Sequence, residues 1–260
     1  MNLLEFRHNV TSQYGEDGIL RKIFEVLGIQ RGTCVEFGAW DGKLNSNTHQ
    51  LITQQNWRGL LIEGSAQRYA DLVQTYAGRP DVLCRNAIVG FAAPYLLDDY
   101  VAQTDFPRDY DLLSIDVDGN DYHIFKTVQK YHPKVVVIEF NATIPNQIVM
   151  VQEPNLQVYQ GNSAAALVQL GKSLGYELVC CTDCNAIMVD AHYFPLFKIV
   201  DNSLDALHQD TRYQTYLVQM YDGTVRVAGL KRLIWHNIEI DEARIQVLPK
   251  ELRTFCDKLS

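Results

Sequence analysis

The sequence has no uninterrupted apolar run approaching the roughly 18 residues of a membrane-spanning helix. Its start, Met-Asn-Leu-Leu-Glu-Phe-Arg, lacks the zones of a secretory signal. These absences predict a cytoplasmic protein with no membrane partner. Basic charge is also short. The 23 Lys and Arg against 31 Asp and Glu leave a formal net charge of −8, which disfavours a nucleic-acid surface. Matched metal-ligand pairs are missing too: Cys181-Thr-Asp-Cys184 has zinc-knuckle spacing, but no second Cys or His pair accompanies it, and His192, His208 and His236 show no metal spacing with one another. A turn between two strands explains this Cys pair better. Of the six cysteines, Cys34 and Cys84 fall inside apolar strand-like runs and are expected in the core. No Pro/Gly/Ser-rich linker or internal repeat divides the 260 residues, so one large core is expected.

What is present is an alternation of helical and strand patterns. Leu20, Ile23, Phe24 and Leu27 recur at helical spacing before Gly28. The same spacing returns at Tyr69, Leu72, Val73 and Tyr76 after Ser65, and at Leu167, Leu170 and Leu174 after Ser163, with the serines as candidate N-caps. Between them lie continuously apolar runs at Val82–Ile88, Leu112–Val117, Val135–Phe140, Tyr176–Cys180 and Ala186–Val189, as expected of strands buried on both faces. The spacing predicts a doubly wound, mostly parallel Rossmann-like α/β sheet. The last two strands are too close for a crossover helix, so an antiparallel hairpin ends it. From Asp201 onward the pattern reads as a helical, tyrosine-rich extension (Tyr213, Tyr216, Tyr221). The expected organisation is therefore a main domain over 1–200 and a helical extension over 201–260 packed on it.

The most informative stretch is Thr33-Cys-Val-Glu-Phe-Gly-Ala-Trp-Asp-Gly42. An apolar run closes on an acid and continues into glycines, Gly38 and Gly42, that permit positive φ and close backbone approach. It lacks the Gly-x-Gly-x-x-Gly dinucleotide fingerprint. A helix over about 45–57 follows, then a second buried strand, Gly59-Leu-Leu-Ile-Glu63, also closing on an acid. Acids at two successive strand ends point to a nucleoside, because a carboxylate accepts two hydrogen bonds from a vicinal diol. The plainer reading is that Glu63 caps the helix opened by Ser65.

Strands in this order, with the terminal hairpin, resemble class I S-adenosylmethionine-dependent methyltransferases. More narrowly, Leu97-Asp98-Asp99-Tyr100, then Ser114-Ile-Asp-Val-Asp-Gly119, then Val135-Val-Val-Ile-Glu139 resemble the FkbM-type branch over roughly residues 12–190. The chain departs from that pattern at Asp118, where the branch has Glu, and in Gly119-Asn120-Asp121, where it has Gly-Ala-Glu. The resemblance implies that Glu36, Gly38 and Gly42 shape the pocket of S-adenosyl-L-methionine, that Glu63 binds its ribose, and that Asn86 faces the adenine edge. It places Gln13 and Tyr14 over the methionine end; a plain helix start capped by Ser12 accounts for that segment equally well.

Asp116, Asp118 and Glu139 cluster at the ends of two neighbouring strands, with Asn141 just beyond. Repulsion among convergent acids calls for a divalent cation, Mg or Mn, or a basic substrate group. Metal-dependent O-methyltransferases have acids and an Asn at similar positions, which makes Asp116, Asp118, Glu139 and Asn141 candidate ligands. The blander account has Asp118 and Asp121 making a turn and capping the next helix, with Asp116 contacting only cofactor or backbone; Asp116 is also a candidate cofactor-binding residue. Asp116, His123 and Glu139 are candidate catalytic residues, His123 as a general base that titrates near neutrality. Trp40, Trp57 and Trp235 are expected to pack. The reading is O-methylation of a small metabolite or sugar. The alternatives are a metal-dependent glycosyltransferase using Asp116-Val117-Asp118, and a non-catalytic cofactor-binding protein. Homo-oligomerisation is left open.

Overall fold

The computed structural model describes residues 1–255, so Cys256 lies outside the described residues. Two compact units emerge: residues 1–141 with 146–209, and residues 142–145 with those from 210 onward. The first holds a seven-stranded sheet in the order β3-β2-β1-β4-β5-β7-β6. Its strands are β1 (Thr33–Phe37), β2 (Arg58–Glu63), β3 (Val82–Asn86), β4 (Leu112–Ile115), β5 (Val135–Glu139), β6 (Tyr176–Cys181) and β7 (Asn185–Asp190). β1 to β5 pair in parallel, and β7 runs antiparallel to both β5 and β6. The predicted terminal hairpin is this β6–β7 pair, and Thr182 to Cys184 form its turn.

Helix α1 (Glu16–Leu27) precedes β1; α2 (His49–Gln55), α3 (Ala66–Thr75), α4 (Leu97–Val101), α5 (Asp121–Thr127) and α6 (Ala164–Ser173) separate successive strands from β1 to β6, and α7 (Leu204–Leu207) follows β7. Ser65 and Ser163 cap α3 and α6 as their positions predict, accepting from the amides of Arg68 and Ala166. Every residue of β1 and β4 is buried, as a sheet covered on both faces requires. Ile19, Leu20, Ile23 and Phe24 of α1 pack into this core, where the Phe24 ring meets that of fully buried Trp57 at 4.5 Å.

Several expectations are corrected. The helix foreseen over 45–57 begins only at His49, because Asn45 takes a left-handed φ of 59° and residues 46–48 turn their polar groups onto Glu36. Cys84 is half-buried rather than core, since β3 is an edge strand; Cys34 is buried as expected. Trp40 and Trp235 are 44% and 70% exposed, so only Trp57 packs as foreseen.

Among the described residues the second unit holds no α-helix, only short 3-10 turns. It carries the hairpin β8 (Thr215–Gln219) with β9 (Val225–Gly229), and a short pair, β10 (Arg232–Leu233) with β11 (Ile238–Glu239). The reason is turn chemistry. Asp222-Gly223 lies between two β-branched runs, Gly223 takes φ 82°, and the Asp222 carboxylate accepts from the Thr224 amide at 2.8 Å. That is a strong hairpin signal overriding the helix reading. The chain enters this second unit at residues 142–145 and again after residue 209.

Candidate active site

Parallel pairing carries the C-terminal ends of β1 to β5 to one edge of the sheet, where Glu36, Glu63, Asn86, Asp116 and Glu139 all lie. Gly38, just past β1, has φ 72°, and a Cβ there would stand 1.7 Å from the Asp116 carbonyl oxygen. Glycine is therefore required where the β1 turn crosses the end of β4. Gly42 has a different task. With φ 74°, its missing Cβ leaves room for Leu72 and Tyr76, and its carbonyl accepts from the Tyr76 hydroxyl at 2.8 Å. It seats the turn against α3.

Glu36 spends its carboxylate on its own chain. Ser46 Oγ and Thr48 Oγ1 donate to one oxygen, both at 2.7 Å, and the Asn47 amide to the other at 2.9 Å. Burial raises its pKa, and these bonds oppose the rise. Asn47 Nδ2 reaches on to Ser114 Oγ at 3.1 Å, joining this turn to β4. Ser46, Asn47 and Thr48 were missed in the sequence. The signal was available as a run of four short polar residues before a helix, which belongs to a capping loop rather than to helix interior.

At the β2 end, Glu63 accepts from the Trp40 amide at 2.8 Å and the Ser65 amide at 2.6 Å, one per oxygen. It does stabilise the turn into α3, as the plainer reading held, and each oxygen keeps further lone-pair capacity. Asn86 donates its Nδ2 to the carbonyls of Glu63 and Gly64 at 2.8 and 3.3 Å. Gln13 and Tyr14 precede α1. Gln13 Oε1 lies 3.9 Å from the Cys184 thiol, and the Tyr14 amide donates to Glu16. Ser12 does not cap α1; Gly15 holds that position, while the Ser12 hydroxyl accepts from the Asp17 amide at 3.0 Å. The Cys184 thiol is pushed up by burial and by Glu139, Glu16 and Asp116.

That cluster is real in three dimensions. Asp116, Asp118 and Glu139 each offer a carboxylate oxygen within 4.8 Å of the others. Asp118 is exposed and strained, with φ 58°. Burial first, then Asp121 and Asp118, raise the Asp116 pKa to about 7. Burial and then Asp116 push Glu139 higher still, so Glu139 keeps the proton and donates it to Asp116. Asp121, raised by burial to about 6, accepts from the amides of Val117 and Gly119 at 2.9 and 2.8 Å. It closes the turn into α5, a task the sequence reading divided between Asp118 and Asp121.

His123 stands on α5 with Nε2 2.8 Å from the Gln152 carbonyl, so that nitrogen donates and only Nδ1 remains to take a proton. Asn141 donates Nδ2 to the Gln160 carbonyl at 2.8 Å. Two further residues brace the cluster from the loop after β5. Gln152 accepts from the amides of Gln160 and Gly161, and buried Asn162 donates to the Gly119 carbonyl at 2.7 Å. Neither carries a motif visible in sequence, since both act across a long loop.

Residues 94–178 match the family model of the methyltransferase FkbM domain. No curated protein matches the chain. Among solved structures, the chain is similar to the CurJ carbon methyltransferase (12% identity, TM-score 0.46, covering 67% of this chain and 52% of that one). It is also similar to the N-terminal domain of EvdMO1 with SAH bound (14%, TM-score 0.46, 67% and 80%). A third is a TehB-like SAM-dependent methyltransferase from Corynebacterium glutamicum (11%, TM-score 0.43, 73% and 92%). The match to CurJ thus spans about half of that chain's length.

Proposed function

We propose, from the match of residues 94–178 to the FkbM methyltransferase domain, that the chain moves the methyl group of S-adenosylmethionine to a hydroxyl oxygen of a small metabolite or sugar. The observation that carries the acceptor reading is the meeting of Asp116, Asp118 and Glu139 beside the Gly38 turn. In-line transfer from a sulfonium needs an oriented acceptor, a dry site and a group to take the hydroxyl proton. Glu63 supplies lone pairs to the ribose hydroxyls while its backbone contacts hold it still. In the ion-free site, Asp116, which accepts a hydrogen bond from protonated Glu139, is the proton acceptor. Its pKa near neutrality suits that task.

The same three carboxylates fit a divalent cation. Their oxygens are hard donors, close enough to share one ion, and each carboxylate adds to its neighbours' repulsion. A bound Mg or Mn ion would supply Lewis acidity, lowering the acceptor hydroxyl's pKa. Asp118, exposed beyond the end of β4, would serve the ion rather than the cofactor.

A thermal-shift series tests the reading. S-adenosylhomocysteine should raise the melting temperature, since a ligand binding only the folded state stabilises it, and Glu63→Ala should diminish the rise. In a transfer assay, a chelator should abolish methylation and Mg or Mn restore it. Stabilisation by nucleotide sugars, with no response to saturating S-adenosylhomocysteine, would sink the methyltransferase reading. Full activity in chelator would remove the ion and leave Asp116 and Glu139 as the base pair.

A further inference from the structure

Trp40 sits where an aromatic residue rarely does. Its φ of 49° lies in the left-handed region, disfavoured for every residue with a Cβ and most for bulky ones. Among the described residues, the other non-glycines at positive φ are three Asn, one Asp and one Lys, and Asn and Asp tolerate that region through local hydrogen bonds. Nor is the strain offset by burial, because the side chain is 44% exposed. A packing role would bury the ring, and a plain turn would place Gly here.

The ring is nevertheless held. The Trp40 amide donates to Glu63 Oε2 at 2.8 Å, which fixes the residue beside the carboxylate assigned to the ribose. The Arg68 guanidinium, on the first turn of α3, lies 4.1 Å from the ring centroid, and Arg68 Nη1 is 3.3 Å from Asp71. The indole is thus backed by a cation and anchored at the end of β2. Strained backbone of this kind clusters at functional sites, where the surrounding structure holds it in place.

We propose that Trp40 is a binding residue for the nucleoside of the cofactor, its indole walling the ribose and base end of the pocket that Glu63 opens, with Arg68 as the positioning residue behind it. The inference rests on the methyltransferase reading above. Aromatic contact with a base is sequence-tolerant and accounts for roughly a tenfold or larger part of affinity.

The test uses the full chain, S-adenosylhomocysteine as probe, and two variants. Trp40→Gly relaxes the backbone, so its ligand-free melting temperature should equal or exceed that of the unsubstituted protein. Its dissociation constant by titration calorimetry should rise about tenfold. Trp40→Phe keeps an aromatic face and should stay within about threefold. In a Trp235→Phe background, S-adenosylhomocysteine should also change the tryptophan emission and should fail to do so once Trp40→Phe is added, since Trp57 has no exposed surface to meet a ligand. Unchanged affinity in Trp40→Gly overturns the proposal, and so does a lowered ligand-free melting temperature with affinity intact, which would make the ring a packing element. No binding to the unsubstituted protein would instead overturn the methyltransferase reading itself, and this inference with it.

Discussion

Single atoms decide much of this site. The 1.7 Å gap between a hypothetical Gly38 Cβ and the Asp116 carbonyl leaves no room for adjustment, because the obstacle is backbone. Gly38→Ala should therefore cost about 3 kcal/mol, combining left-handed strain with displacement of the β4 end. Urea denaturation checks this, and a loss under about 1 kcal/mol would mean that the turn yields more easily than its geometry allows. Glu36 makes a related point. An acid at a strand end reads in sequence as a ligand for a nucleoside, yet three donors from residues 46–48 already occupy it. Its contribution to the pocket runs through the loop it holds.

At the scale of elements, the Leu97-Asp98-Asp99 motif turns out to be a clamp. Asp98 on α4 is buried, and its Oδ2 accepts from the amides of Gln129 and Lys130 at 3.0 and 2.8 Å. The segment leaving α5 is thereby fixed before it enters β5. Asp98→Ala would leave two amides without partners and should destabilise the fold by about 2–3 kcal/mol. Calorimetric affinity for S-adenosylhomocysteine should remain within about twofold, because Asp98 contacts neither strand-end acid in the nucleoside pocket. A variant of normal stability that no longer binds would place Asp98 in the site. The other acid of the motif, Asp99, forms only a surface ion pair with Lys130 at 3.0 Å, and such pairs contribute little.

For the molecule as a whole, the buried acids tie stability to pH. Asp116, Asp121 and Glu139 all have folded-state pKa values above their ordinary ones, by burial first and mutual repulsion next. The folded chain therefore holds protons that the unfolded chain releases. Stability from these groups is complete below the ordinary carboxylate range and is lost as pH rises through the folded values. In chelator, the melting temperature should fall between about pH 5 and about pH 8. Glu139→Gln should flatten that slope and raise the melting temperature at the upper end by about 3–6 °C. A wild-type profile that is level or rising over this interval would show that the cluster is not strained by its own charge.

The fold class was determined by the sequence alone, because doubly buried strands and amphipathic helices leave periodicities of their own, as at Val135–Glu139 and at Leu20 to Phe24. The acids at strand ends were legible for the same reason: parallel pairing sends every such terminus to one edge. Only the tertiary structure decided what those acids face. Leu72 and Tyr76 filling the space beside Gly42, and the loop residues Gln152 and Asn162 bracing the α5 turn, are contacts between segments distant in sequence. The β8–β9 hairpin is a different case, since Asp222-Gly223 announced it locally and tyrosine content obscured it. Trp40 divides the two sources of knowledge most sharply. Sequence shows an aromatic after a glycine turn, and only backbone geometry reveals that the residue is strained, exposed and held beneath a guanidinium.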